Sequence, residues 1–222
     1  MKTNQQGATL IVVLMILLLI MVVGTLAIRQ SVSSLKMVAN NQIQALLLQN
    51  SDAALMYFQN PVNTSTLASA NGVVNYFRNV GNLNQEMVSC FNKTAPFVMS
   101  NMGVVNSSGT VDNQASCKST DAAGGRTQVV TQVYIKKAAS SDNQPFADYA
   151  RGTDITTAKT ESSLRLQLTS VSVMTGFSSA EDINTCLNQS ASNAISCLSQ
   201  KQALFNSQVA EYRFLSDFEP PK

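Results

Sequence analysis

The sequence predicts an α+β fold: a long N-terminal helix, transmembrane in its first half and amphipathic in its second, packed on a small antiparallel sheet that forms a head. Three observations carry this expectation. From Thr3 to Ile28 no side chain is charged, and the stretch from Ala8 to Ile28 is almost wholly apolar. Between Gly24 and Pro61 there is neither Gly nor Pro, and apolar residues keep a three-and-four spacing. In the second half of the chain one run is rich in β-branched and aromatic residues, and two later runs alternate with the strand period.

The first element is the run ATLIVVLMILLLIMVVGTLAI from Ala8 to Ile28. At about 1.5 Å per residue it reaches about 32 Å as a helix, which matches a hydrocarbon core of about 30 Å. A cleaved signal peptide has a shorter apolar core, about 7 to 15 residues, followed by a small-x-small site. Here the run is longer and passes into a helical pattern with no break, so it reads as a retained anchor. Lys2 precedes it and Arg29 and Lys36 follow it, so charge alone decides little about orientation. The short flank MKTNQQG favours a cytoplasmic N-terminus with the long C-terminal part exported.

The helix is expected to continue from residue 29 to Asn60. Val32, Leu35, Ala39, Ile43, Leu46, Leu47, Ala54, Leu55 and Phe58 line one face, and Asn, Gln and Ser occupy the other. One helix from Ala8 to Asn60 would reach about 80 Å. Its outer stripe cannot be buried by the helix alone, so it needs a head domain, neighbouring rods of the same kind, or both. The expected organisation is therefore 1–7 leader, 8–28 transmembrane half, 29–60 amphipathic half and 61–222 head.

From Pro61 to Arg126 the texture changes to Asn, Ser, Thr and Gly, with turn signals at Asn71-Gly72 and Gly124-Gly125. This region predicts loops and short helices, with helical turns at Asn75–Val80 and Asn84–Phe91. Three strands follow: Gln128–Lys136; Leu164, Leu166 and Leu168 continued by Val171 and Val173; and a last one through Ala210, Tyr212, Phe214 and Phe218. The phase change between Leu168 and Val171 suggests a bulge. The apolar face of this sheet is expected against the Val32–Phe58 stripe. Between Ser178 and Gln208 a helical pattern surrounds Cys186 and Cys197.

The four Cys lie in the exported part and none forms a CxxC pair, so an oxidising compartment would let them make two bridges. Three connectivities exist; sequence proximity favours Cys90 with Cys117 and Cys186 with Cys197. Each bridge would contribute about 3 kcal/mol by loop entropy.

Composition removes several functions. The chain of 222 residues has no His and no Trp, a net charge of +2, and only 13% charged residues, while Ser, Thr, Asn and Gln make up more than a third of it. Without His the common triads and most zinc sites are out of reach, so no metal and no cofactor are expected. No run of three basic residues occurs, so nucleic acid is not an expected partner. No Gly-rich GK[ST] loop is present, so the chain does not itself hydrolyse ATP. Asp142, Asp148 and Asp154 are loop carboxylates that could approach calcium, without an EF-hand pattern. Asn63, Asn92, Asn106 and Asn188 begin N-x-[ST] triplets, which a chain this rich in Asn and Ser yields by chance.

The leader ending in Gly7, the Gly-Ala-Thr-Leu-Ile start, the apolar run and the polar helix after it resemble the class III signal of type IV pilins. More narrowly, QQGATLIVVLMILLLIMVVGTLAIRQSV from Gln5 to Val32 is similar to the N-terminus of PilX-type minor pilins, as is LLLQNSDAAL from Leu46 to Leu55. The resemblance covers about the first quarter of the chain. It implies a type IV pilin-like fold, cleavage between Gly7 and Ala8 by a prepilin peptidase, and methylation of Ala8 as the new N-terminus.

It further implies residence in the bacterial inner membrane as a single-pass protein with a periplasmic head, then incorporation in a pilus. Partners would be other minor pilins, the major pilin and a tip adhesin, in a filament serving cell adhesion and twitching motility. Most pilins carry Glu at the fifth mature position, where it pairs with the N-terminal ammonium of a neighbour; here that position is Val12. A chain lacking that carboxylate can be followed by another subunit through its own ammonium but need not follow one, which suits the first place in a filament.

The functional expectation is thus a minor pilin that helps initiate assembly through helix packing by Val32, Leu35, Ile43, Leu46, Leu47, Leu55 and Phe58. The alternatives are a pseudopilin of type II secretion, or a signal-anchored periplasmic binding protein or enzyme. The enzyme alternative lacks any convergent set of titratable residues in the sequence.

Overall fold

The computed structural model describes residues 8–112, 114–122, 128–138 and 164–214. The leader at 1–7, the Gly124-Gly125 turn, Asp142, Asp148, Asp154 and Phe218 lie outside the described residues. The first element, α1, spans Ala8–Gln59. The chain divides into two units, one ending at Ala45 and one beginning at Leu46, so α1 contributes to both.

In the first unit α1 is the whole described structure. Every residue from Leu10 to Gln42 is exposed. The backbone satisfies its own hydrogen bonds, and even Thr25 turns its hydroxyl back onto the Val22 carbonyl at 2.9 Å. A helix of this composition is long and apolar enough to cross a membrane.

The second unit is a five-stranded antiparallel sheet with helices on both faces. Its strands are β1 (Glu86–Cys90), β2 (Met102–Val104), β3 (Val129–Lys137), β4 (Leu164–Met174) and β5 (Phe205–Phe214), in the order β2-β1-β3-β4-β5. One face is covered by the last turns of α1 with α2 (Pro61–Leu67) and α3 (Val73–Arg78); Ala54, Leu55, Phe58, Leu67, Val74 and Phe77 share a core with Val133, Ile135, Leu164, Leu166 and Leu168. The other face is covered by α4 (Ala180–Leu187) and α5 (Ala191–Gln200), where Ile183, Leu187, Ala194 and Leu198 share a second core with Val88, Val130, Tyr134, Val171 and Val173.

This two-sided burial corrects several sequence expectations. The phase change in β4 is not a bulge: β4 pairs in unbroken register with both neighbours, Val129 to Met174 through Lys137 to Leu166 and Leu164 to Phe214 through Val173 to Phe205. Leu164, Leu166 and Leu168 point to the α1 side, Val171 and Val173 to the α4–α5 side. The apolar pattern shifts phase because the dominant core changes face along one straight strand. Asn84–Phe91 is not helical either. Its Met87 and Val88 are buried in opposite cores, and the segment pairs with β2 and β3 as β1. A short strand buried on both faces shows no alternation by which to recognise it. The helical pattern from Ser178 stops at Gln200 rather than running to Gln208, and β5 begins at Phe205.

Local chemistry sets the helix boundaries. Asn60 accepts a hydrogen bond from the Val62 amide at 3.0 Å, and Pro61 takes the first turn of α2, where its missing N–H is not needed. At the Asn71-Gly72 turn a β-carbon on Gly72 would lie 2.2 Å from the Leu67 carbonyl oxygen, so the link from α2 to α3 demands glycine. Ser179 caps α4, accepting from the Asp182 amide at 3.1 Å. Glu86 on β1 accepts from the first amide of α5, Ala191, at 2.7 Å, which joins sheet to helix.

Both bridges are present: Cys90 to Cys117, and Cys186 to Cys197 between α4 and α5. The second closes a separation of 11 residues, and loop entropy makes it worth about 3 kcal/mol. Replacing both Cys186 and Cys197 with Ala should therefore lower the unfolding free energy by about 2 to 3 kcal/mol in urea titrations of the detergent-solubilised protein; an unchanged midpoint would contradict that.

Burial raises the Glu86 carboxyl above its ordinary value, against the lowering effects of the Ala191 amide and the Lys136 charge. Folding thus favours the protonated form. The Glu86 contribution is complete below the unfolded carboxyl pKa and is lost as pH rises through the raised folded value. Glu86→Gln should accordingly gain stability on the parent between about pH 3 and pH 7, and a pH-independent difference would refute the assignment.

Candidate functional site

The feature that sets this molecule apart is α1, whose surface differs along its length. From Leu10 to Ile28 the apolar side chains are exposed on every side, among them Val12 at 56%. Further along, Val32, Leu35, Met37 and Val38 are also exposed, Ile43 and Leu46 are half-buried, and full burial begins at Leu47. The stripe expected to meet the sheet from Val32 onward is thus buried only from Leu47 through Phe58. Val32 and Leu35 are apolar residues with nothing covering them among the described residues.

Within the second unit the buried positions are Leu47, Ser51, Ala54, Leu55 and Phe58, which share one helical face. The other side of the same turns carries Leu48 and Met56, both exposed, while the partly exposed ring of Tyr57 meets Phe91 and Phe97 at 5.7 and 5.8 Å. Two kinds of contact hold the buried side. At Phe58 it is aromatic: its ring meets Phe97 edge-on at 5.2 Å and lies 5.4 Å from Tyr212 and 6.3 Å from Phe214. The Tyr212 hydroxyl donates to the Leu55 carbonyl at 3.2 Å, and its partial burial raises its pKa. Two turns earlier the contact is polar. Ser51 shares a 2.7 Å hydrogen bond with Ser172 of β4, whose hydroxyl also meets Thr131 of β3 at 2.8 Å.

Sequence reasoning missed Ser51, Ser172 and Phe97 at the contact with α1, and Thr131 behind Ser172, whereas Tyr212 lies on the sheet face expected against the stripe. Ser51 sits four residues after Leu47 and four before Leu55, so its place on the stripe was readable, but its polarity hid it. Of the residues expected to define processing, Gly7 lies outside the described residues and Ala8 opens α1. Val12 follows on the exposed apolar surface. The four Cys are paired in the second unit, away from α1 in sequence, and stabilise the layers behind it.

Among the described residues no group of three His, Cys, Asp or Glu side chains converges to hold a metal ion. What this arrangement supplies is surface rather than reactive groups. Exposed apolar side chains on a rigid helix bind lipid or other helices, since each fully covered Val, Leu or Ile side chain is worth about 1.5 to 3 kcal/mol.

Residues 6–55 match the PilX N-terminal family. The match covers under a quarter of the chain and ends inside the last turns of α1. No curated protein and no solved structure matches the chain.

The two sides of α1 in the head predict opposite responses to truncation. Phe58→Ala should cost about 3 to 5 kcal/mol of unfolding free energy, because it empties the centre of an aromatic cluster. Met56→Ala, two residues away and 70% exposed, should change it by under about 0.5 kcal/mol. Equal effects in parallel urea titrations would contradict the placement.

Proposed function

We propose that this chain, whose N-terminal region is that of a PilX-type type IV pilin, is a minor pilin that helps to start pilus assembly, standing at or near the filament tip. The observation that carries the reading is the combination on α1 of an apolar surface exposed all round and Val12 at the fifth mature position. An apolar helix of this length fits a membrane-anchored pilus protein. It can pass from lipid into a bundle of similar helices with little change in solvation, because neighbouring pilin helices are as apolar as acyl chains.

The tip position follows from electrostatics. After cleavage at Gly7, Ala8 would carry an ammonium group, which in a low-dielectric bundle is costly unless a carboxylate meets it. A following subunit with Glu at its fifth position supplies that carboxylate to Ala8. This chain has none to give to a subunit ahead of it. It can therefore be followed but gains nothing by following, and the energetically consistent place is first.

In this reading the exposed Val32 and Leu35 and the half-buried Ile43 and Leu46 pack on the helices of other minor pilins and of the major pilin. The head, on the periplasmic side while the protein is in the inner membrane, meets their heads or a tip adhesin. The prepilin peptidase cuts between Gly7 and Ala8, and Ala8 is methylated. The chain does no chemistry of its own. A type II secretion pseudopilin would share all of this and differ only in its partners.

Mass spectrometry of the membrane-extracted protein should find a mature N-terminus at methylated Ala8, and an N-terminus at Met1 would remove the reading. Val12→Glu tests the tip position. It should reduce the number of filaments per cell or move the protein into the filament body, detected as more copies per length of sheared pilus. Piliation and copy number both unchanged would contradict a tip role.

A further inference from the structure

The head contains a cavity of about 470 Å³ that the assembly role does not use. It lies between Thr110 and Val111, which form isolated bridges to Gln189 and Val105, the segment from Gln114 to Lys118, and the C-terminal turn of α4. That volume falls in the range of small-molecule sites.

Its walls are fixed from behind. The Val111 amide donates to the Asn188 carbonyl at 3.2 Å. The buried Gln132 amide accepts from the Cys117 backbone at 2.7 Å and donates to the Leu187 carbonyl at 2.7 Å, which ties both walls to β3. The disulfide Cys90–Cys117 anchors one wall and Cys186–Cys197 the other. Gln114 is held at a φ of 50°, a left-handed conformation that a non-glycine residue adopts at a cost, with its carbonyl pinned by the Lys93 ammonium at 3.0 Å.

The polar groups facing this space are mainly donors. Asn184 accepts from the Ser119 amide at 2.7 Å and Asn188 accepts from the Ser116 hydroxyl at 3.3 Å, so the oxygen of each carboxamide is already engaged. The two NH₂ groups, one helical turn apart, are left to donate, and neither has a partner among the described residues. Lys118 adds an exposed ammonium at the rim. Among the described residues no carboxylate and no aromatic ring lines the cavity.

We infer that this cavity binds one residue of an acidic carbohydrate, a hexuronate, with its hydroxyls on Asn184, Asn188 and Thr185 and its carboxylate on Lys118. Amides and hydroxyls suit a ligand whose hydroxyls both donate and accept. A cation at the rim beside fixed donors suits a single carboxylate, and charge-assisted hydrogen bonding provides the selectivity that ring stacking provides elsewhere. The inference rests on the head alone and stands or falls separately from the pilin reading.

The test is a titration of the full-length protein in detergent micelles with methyl β-D-glucuronide and methyl β-D-glucoside, followed by saturation-transfer NMR. The glucuronide should bind saturably and the glucoside roughly tenfold more weakly or less. Lys118→Gln should erase that preference. Thr185→Trp, at an exposed rim position, should abolish binding while the disulfides and the circular dichroism stay as in the parent. Three results would overturn the inference: no saturable binding of the glucuronide, a preference that survives Lys118→Gln, or binding indifferent to Thr185→Trp. Tighter binding of N-acetyl-glycylglycine than of the glucuronide would also overturn it, in favour of a peptide C-terminus. Should the Trp variant misfold, the Lys118→Gln titration decides alone.

Discussion

The N-terminal half of α1 has no stable existence in water. Its side chains from Leu10 to Ile28 are exposed around the whole circumference, and at about 1.5 to 3 kcal/mol for each large apolar residue, leaving them solvated would cost tens of kcal/mol. That sum exceeds the net stability of an ordinary domain, about 5 to 15 kcal/mol. The segment therefore requires an apolar surrounding: on the proposed reading, first lipid and then a bundle of like helices. Because both environments are equally dry, the transfer between them is governed by packing and by the few polar groups near the N-terminus, which is why one residue such as Val12 can matter.

The head solves a different problem, since its surface is rich in amides and hydroxyls and short of charge. It is stable through two cores on the two faces of one sheet, with a disulfide tying the helices of the second core together. The α1 side is fastened at Phe58 by aromatic contacts and at Ser51 by hydroxyls. The last turns of α1 are thus a structural part of the head, while Leu48 and Met56 on the same turns remain exposed.

Much of this was readable from the residues, for identifiable reasons. The apolar run and its continuation to Asn60 predict α1, which ends at Gln59 where Asn60 and Pro61 start a new helix. Period-two alternation marks the first part of β4 and the end of β5, because those stretches have one face drier than the other; β3, buried on both faces from Val129 to Ile135, is marked instead by its Val, Thr, Tyr and Ile content. The pattern failed wherever burial was two-sided or the element was very short. β1 and β2 are five and three residues long, and Val171 and Val173 serve a core on the opposite face from Leu164, Leu166 and Leu168. The start of β5 was hidden because Asn206, Ser207 and Gln208 are polar. At the candidate site the stripe was legible as a pattern, but sequence cannot say which part of it the head uses, and only Leu47 to Phe58 is buried. The donor-lined cavity was not legible at all, since Lys118, Asn184 and Asn188 come from two segments brought together by tertiary packing.

The central claim is that the exposed outer part of α1 is built to lie against other pilin helices. The most direct measurement places a photo-crosslinking residue at Leu35 in the full-length protein and irradiates piliated cells. The account predicts crosslinks to the N-terminal helices of other pilins, recovered in sheared filaments and identified by mass spectrometry. Crosslinks to lipid alone, or to the protein's own head with no second pilin, would contradict it.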